Sequence, residues 1–428
     1  MGFSFRMTAR MERSSLLCLG LLIAMSFLSL SVSGQNDDDD KNDYICVCMR
    51  GNASTWIFDT STDTAVRKIN HANYDDADVL PVPMYCDYYE DKKGTKILSV
   101  GDRANKVVWM LDVEDDFKVI GQLKVGVGIF HHWVSEEANQ VWVVCDGITP
   151  PEGETPLSSG EVNVWVFDAT SFKELEVIPF PEDLLEQNIN SQGTLHDVTV
   201  SPSGDFAIVT TTNLPGLNDY ALKYSTDNFK ETGRTAVGSA PHVTYLNESL
   251  PLYVISQNSL LDSISLIDPK TMEIQSSIPG LQGAHMMVGP GLDGTTYYVT
   301  NLPSGGVNGL FGFDTIRGQV DYTAVTDTVY TVPHNVAVSG DRRKLYLTHS
   351  GPNVEVSVWD VSNVFNPRPS FLRVIIAELN PYGIENFQTS EKICCADSES
   401  QEGDGSGAER LLLNSWVLLL VWLVVVFY

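Results

Sequence analysis

Five short segments place histidine in one recurring context: Phe130-His131-His132-Trp133, Leu195-His196-Asp197-Val198, Pro241-His242-Val243, Ala284-His285-Met286-Met287 and Pro333-His334-Asn335-Val336. Neutral imidazole is the commonest metal-ligating group and suits copper, zinc, iron and nickel. Repeated in one register, His131 or His132, His196, His242, His285 and His334 point first to copper or another transition metal. Acid–base catalysis by one of them is a second use, which only geometry can license. His349 ends a different strand, at the place where another unit has Cys145, and could add an outer ligand. His71 falls in a loop and carries no expected role.

Cysteine supplies the other reactive chemistry. Of the 7 cysteines, Cys18 lies in the N-terminal apolar run, which leaves Cys46, Cys48, Cys86, Cys145, Cys394 and Cys395. An even set in an oxidising compartment implies disulfides. No Gly-x-Ser-x-Gly elbow, phosphate loop or His-Glu-x-x-His helix occurs, and the carboxylates are scattered over loops. No catalytic set is therefore assigned.

The elements that must position these residues repeat with them. Between Tyr44 and about Ser390 the chain repeats loosely at the ~40–50-residue period of propeller blades. Each unit reads as strand, polar turn, strand, loop and a third strand closed by Asp: Trp56–Asp59, Val108–Asp112, Val164–Asp168, Ile264–Asp268, Leu310–Asp314 and Val356–Asp360. Alternating β-branched and aromatic residues between Gly, Asp and Ser turns favour strands over helix. The closing Asp is expected to cap the turn into a fourth strand. The first unit lacks its opening strand, and Asn380-Pro-Tyr-Gly-Ile-Glu-Asn-Phe387 resembles the missing piece. The expected fold is all-β: a seven-bladed propeller over 44–390, whose C-terminal strand closes the first blade and removes the open edge. First strands line the channel, so the histidines would ring one mouth, with Tyr85 and Tyr382 in the remaining blades. Ring closure suggests bridges from Cys46 or Cys48 to Cys394 or Cys395, and from Cys86 to Cys145. A link across roughly 345 residues would contribute about 5 kcal/mol on loop-entropy reasoning.

The flanks address the chain to a cell surface. Arg6, Arg10 and Arg13 precede the apolar run Leu16–Leu30 and small residues ending at Gly34, the pattern of a signal peptide over 1–34. An acidic linker follows over 35–43. At the other end, a polar, Cys-containing spacer (391–410) precedes the apolar tail 411–428, which ends without basic residues. This pattern matches a GPI-anchor signal, with Ser398, Ser400 or Gly403 as attachment candidates and a single span as the alternative. Asn52-Ala-Ser and Asn247-Glu-Ser are glycosylation candidates. The formal charge of −28 disfavours nucleic acid. These features imply residence on the extracellular face of the plasma membrane.

Tyr298-Val-Thr-Asn301 spells the tetrapeptide of the YVTN-repeat propellers, and Pro333-His-Asn-Val-Ala-Val-Ser339 matches their strand-opening pattern. The chain resembles that family, and the similarly built propeller of nitrous-oxide reductase, over nearly all of 44–388. The resemblance implies a fold rather than an activity. It offers a histidine-held copper cluster as one analogy. Reduction of nitrous oxide is not implied, because two ring positions are tyrosine and no second copper domain follows the propeller. In YVTN repeats the Pro-His pair also recurs structurally, with histidine bonded to backbone in a neighbouring blade. Two functions remain. One is a surface-anchored binding module for an extracellular protein, glycan or small ligand, which the sequence favours. The other is a metal-binding propeller, in its extreme form a copper-type oxidoreductase.

Overall fold

A computed structural model describes residues 41–393, apart from 75–76, 148–161, 188–192, 215–217, 246–249, 258–263, 280–282, 303–308, 316–318, 326–329 and 391. These residues form seven four-stranded antiparallel sheets, each a meander running from the inner strand to the outer one. The inner strands touch one another in cyclic order, so the sheets are the blades of a closed propeller. Blade 1 takes its inner strand, Pro381–Thr389, from the C-terminal end and pairs it with Asn42–Met49. The other inner strands are Pro83–Glu90, Ile129–Ser135, Thr194–Val200, Pro241–Thr244, Ala284–Val288 and Pro333–Val338, in blades 2 to 7. The expected fold and its closure by the C-terminal strand are both present. Among the described residues, helix is limited to a short segment at Glu182–Gln187 and a 3-10 turn at His71–Asn73.

Burial follows from blade stacking. Middle strands are packed on both faces by neighbouring blades, so Gln140–Cys145 and Thr296–Asn301 are buried at every position. Such strands read as unbroken apolar or β-branched runs rather than alternating ones. Outer strands face solvent, and Glu174–Pro179 is mostly exposed. The third-strand aspartates cap turns as expected. Oδ1 of Asp59, Asp112, Asp168 and Asp268 each accepts two backbone N–H groups from the next three residues, and Asp360 accepts Ser362 N–H.

The cysteine pairing differs from expectation. Cys46 bonds to Cys86, joining blades 1 and 2, while Cys48 and Cys145 are buried without a disulfide. A blade presents opposite faces to its two neighbours. Cys86 packs into the core between blades 1 and 2, and Cys145 into the core between blades 2 and 3. The expected Cys86–Cys145 pair is therefore on opposite sides of blade 2, and Cys145 Sγ instead lies 3.7 Å from Gly126 O. Cys46, bonded to Cys86, is not available for the expected bridge to Cys394 or Cys395. Cys394, Cys395, Asn247, the signal peptide, Ser398, Ser400, Gly403 and the apolar tail lie outside the described residues. Asn52 is exposed in the first hairpin of blade 1.

Candidate metal centre

The channel mouth is built by β-bulges. In six inner strands the pairing register slips by one residue where the strand enters the channel: Pro381–Ile384, Pro83–Cys86, Ile129–His132, Leu195–Val198, Ala284–Met287 and Pro333–Val336. Blade 5 runs through Pro241, His242 and Val243 without a slip. A bulge lets two residues oppose one and re-aims both side chains. The registers therefore define two stacked positions. The first holds Tyr382, Met84, Phe130, His196, His242, His285 and His334 in blades 1 to 7. The second holds Gly383, Tyr85, His131, Asp197, Met286 and Asn335, with nothing from blade 5.

Four successive blades thus contribute a crescent of imidazoles. Ring centroids are 4.3 Å apart for His196–His242, 4.1 Å for His242–His285 and 4.3 Å for His285–His334. His131 rises from the second position to lie 5.2 Å from His242 and 6.0 Å from His196. Tyr85 stacks on His131 at 3.8 Å, and Tyr382 closes the other horn of the crescent, 4.3 Å from His334. Met84, Tyr85 and Tyr382 pack together with Phe130, making the remaining wall apolar. Hydroxyls on the middle strands hold the inner backbone in place: Thr300 donates to His334 O (2.7 Å), Thr348 to Tyr382 O (2.9 Å) and Thr210 to Pro241 O (2.9 Å).

All five imidazoles are buried, and burial, the leading cause in each case, holds their pKa values below the usual histidine range. They are neutral at physiological pH, the form that ligates metals. His196 donates Nδ1–H to Pro241 O (2.9 Å) in the next blade. His131 and His242 point Nδ1 at the Asp197 carboxylate, at 3.1 and 3.3 Å. His131 Nε2, His242 Nε2, His334 Nδ1 and both nitrogens of His285 are buried with no hydrogen-bond partner among the described residues.

The remaining expected site residues fall elsewhere. His132 points out of the channel into the blade 2 interface, where Nε2 meets Ser99 Oγ at 2.8 Å, and burial lowers its pKa to about 4. His349 uses both nitrogens, on Thr331 O (3.1 Å) and Ser357 Oγ (2.8 Å), so it is a strut of blade 7 and not an outer ligand. His71 has a structural role after all: it is buried, with Nε2 2.7 Å from Thr55 Oγ1 and its ring edge-on to Tyr74. Tyr85 reaches the cluster, but from the second position; its equivalence with the ring histidines was an error of one residue caused by the bulge. Sequence reasoning missed Met84, Asn335 and above all Asp197. A carboxylate inside the wholly buried strand Thr194–Val200 was the available signal, since such a group needs a partner.

Comparison with known proteins identifies the fold alone. No protein-family model and no curated protein matches the sequence. Among solved structures, a putative 6-phosphogluconolactonase from Bacteroides fragilis aligns at 14% identity and TM-score 0.59, covering 82% of this chain and 99% of that one. Kuenenia stuttgartiensis hydrazine synthase aligns at 16% identity and TM-score 0.55 over 70% of this chain and 88% of that one. The dihydro-heme d1 dehydrogenase NirN, solved in complex with DHE, aligns at 13% and 0.53 over 82% and 76%. The chain is a seven-bladed β-propeller, a scaffold these proteins share, and the fold is consistent with a binding module.

Proposed function

We propose that the channel mouth binds a transition-metal ion through His131, His196, His242, His285 and His334. The observation that carries the reading is the set of buried, neutral imidazole nitrogens with no partner. Leaving a buried polar atom unsatisfied costs about 1–3 kcal/mol each, and native proteins seldom tolerate a cluster of them without a ligand. The histidines whose Nδ1 is held by Pro241 O or Asp197 also fit the arrangement in which a metal-ligating imidazole gives its other N–H to an oxygen acceptor. An all-imidazole donor set suits copper, zinc, iron or nickel, and the ion would supply Lewis-acid or electron-transfer chemistry according to its identity. The protein's own part is to keep the imidazoles neutral, oriented and dry.

The test is elemental analysis of the full-length chain, produced in a eukaryotic secretory host without a histidine tag. At least one equivalent of copper, zinc, iron or nickel per chain is expected. It should be lost in the His196→Ala, His242→Ala, His334→Ala triple variant while the β-type circular dichroism is retained. Wild-type protein that holds no metal after loading and gentle desalting overturns the reading.

A second reading, supported by a different feature, is recognition of an extracellular protein, glycan or small ligand by a membrane-anchored propeller. Its support is apolar surface on blade 7: Phe365 is 96% exposed, and Phe371, Leu372 and Ile376 project from the outer strand Ser370–Ile376. Release of the chain from intact cells by a phosphatidylinositol-specific phospholipase is the expected outcome for the anchor. Retention on the membrane would remove the GPI part of this reading.

A further inference from the structure

We propose that Asp197 is a positioning residue that fixes the tautomers of His131 and His242 together, leaving Nε2 of each as an unprotonated lone pair. The proposal rests on the metal reading for its function, though not for its geometry. Asp197 occupies the second position of blade 4, directly below His196, and its side chain is 5% exposed. Its carboxylate accepts three hydrogen bonds, and a fourth nitrogen, His131 Nδ1, lies at ion-pair distance. Oδ1 takes Val198 N–H at 2.8 Å and His131 Nδ1 at 3.1 Å; Oδ2 takes Val243 N–H at 2.9 Å and His242 Nδ1 at 3.3 Å. Each carboxylate oxygen already serves as acceptor to a backbone N–H, and as acceptor to the imidazoles it leaves the hydrogen on both Nδ1 atoms. A neutral imidazole has a single N–H, and Nε2 is bare in each ring.

The arrangement depends on unequal blades. His131 comes from the bulge of blade 3, Asp197 from the bulge of blade 4 and His242 from the straight strand of blade 5. Because blade 5 has no extra residue, Val243 N–H reaches Oδ2 directly. One carboxylate thereby sets the rings of two neighbouring blades.

A competing geometry would place the ion on the other side of the rings. The Nδ1 atoms of His131 and His242 and an Asp197 oxygen lie within 4.8 Å of one another and could clasp a cation themselves. That arrangement requires both rings to move their proton to Nε2. Those nitrogens have no acceptor among the described residues, so two buried N–H groups would be orphaned while the carboxylate lost two donors. The observed hydrogen bonds favour Asp197 behind the ligands rather than among them.

The first experiment needs no metal. Long-range ¹H–¹⁵N correlation spectra of metal-free, full-length protein labelled at histidine nitrogen report the tautomer of each ring, with His131→Gln and His242→Gln for assignment. Both rings should be Nδ1–H; finding either as Nε2–H overturns the proposal. In Asp197→Asn the amide offers one acceptor oxygen and a donor NH₂, so one of the two rings should switch to Nε2–H. Zinc affinity, measured by competition with a chromophoric chelator, should then weaken about 10–100-fold. Unchanged tautomers and affinity overturn the proposal. So does an oxygen neighbour in the X-ray absorption spectrum of zinc-loaded wild type together with complete loss of zinc in Asp197→Asn, which would make Asp197 a ligand. Should wild-type protein bind no zinc or other metal, the metal reading fails, while the spectra still decide whether Asp197 sets the two rings.

Discussion

Replacing Glu385 by glutamine should stabilise the protein in alkaline buffer and leave it unchanged in acid. Glu385 lies on the closing strand of blade 1 and Asp87 on the inner strand of blade 2. The two strands run side by side: Phe387 stacks on Tyr88 with ring centroids 4.9 Å apart, and Glu385 pairs with Cys46, which is bonded to Cys86. Asp87 takes Val134 N–H at 2.7 Å and faces Glu136, while Glu385 faces Asp87. Each of the two residues is only partly exposed. Burial, reinforced by the neighbouring carboxylates, pushes Asp87 up to about 7 and Glu385 up to about 8. Both values are raised, so the folded state holds protons that the unfolded chain releases near pH 4–4.5. The stabilisation is full below that range and is lost as pH climbs through about 7–8. For the one proton that Glu385 holds, the slope is at most about 1.4 kcal/mol per pH unit, on the order of 4 kcal/mol between pH 5 and 8. The buried histidines work in the opposite direction: their lowered pKa values give stability present above about pH 6.5 and lost as pH falls. That contribution is common to both proteins and cancels in the difference. Urea midpoints by tryptophan fluorescence should coincide for wild type and Glu385→Gln at pH 5. At pH 8.5 the variant should be ahead by about 2–4 kcal/mol. Asp115→Asn, on the exposed surface, serves as a flat control. A Glu385→Gln difference that does not grow with pH refutes the argument that Glu385 holds a proton in the folded state.

Two further outcomes follow from the seam between blades 1 and 2. Cys46→Ser with Cys86→Ser removes a link with a sequence separation of 40, and should cost about 4 kcal/mol on loop-entropy reasoning. Peptide mapping under non-reducing conditions should first recover the Cys46–Cys86 pair, and recovery of Cys86–Cys145 instead would contradict the fold. Gly383→Ala would drive a methyl into the backbone of Met84 and Tyr85, so it should lower the thermal midpoint by several degrees and raise proteolysis at the blade 1–blade 2 seam. A neutral outcome would show that the closing strand can shift away from blade 2.

Much of the fold was legible because its signals are local and repeated. Third strands close on an aspartate in every blade but the fourth, where Ser225 ends the strand, and the turn-capping role depends only on the residues that follow. The unpaired opening of the first unit and the orphan strand at Pro381 had one economical solution. The site was legible only by residue type. Counting from the histidines put Tyr85 and His131 in register with His196, whereas Met84 and Phe130 hold that register. A bulge adds one residue without changing composition, so period-2 counting cannot detect it. Disulfide pairing failed for a related reason. Cys86 and Cys145 sit in consecutive blades but face different neighbours, and facing is set by strand register. His71 looked incidental because nothing in a loop sequence announces that Thr55 lies opposite it across a blade.

The same bulges explain why the cluster is neither planar nor sevenfold. Identical blades with histidine at the first position would give a flat ring of equivalent imidazoles around an axis. Here blades 1 to 3 place Tyr382, Met84 and Phe130 at that height, which leaves a crescent over blades 4 to 7 and an apolar wall opposite. The break in the crescent is bridged from below by His131, one residue past Phe130, and the reach is possible because the bulge brings consecutive side chains to the same mouth. Asp197 stands at the corresponding second position of the next blade, where His131 meets it, and the straight strand of blade 5 carries Val243 N–H and His242 to its other oxygen. Residues that are unremarkable as a repeat, a histidine after a phenylalanine and an aspartate after a histidine, become a clamp because neighbouring blades differ by one residue in register. Symmetric strands supply the scaffold, and the departures from symmetry supply the site.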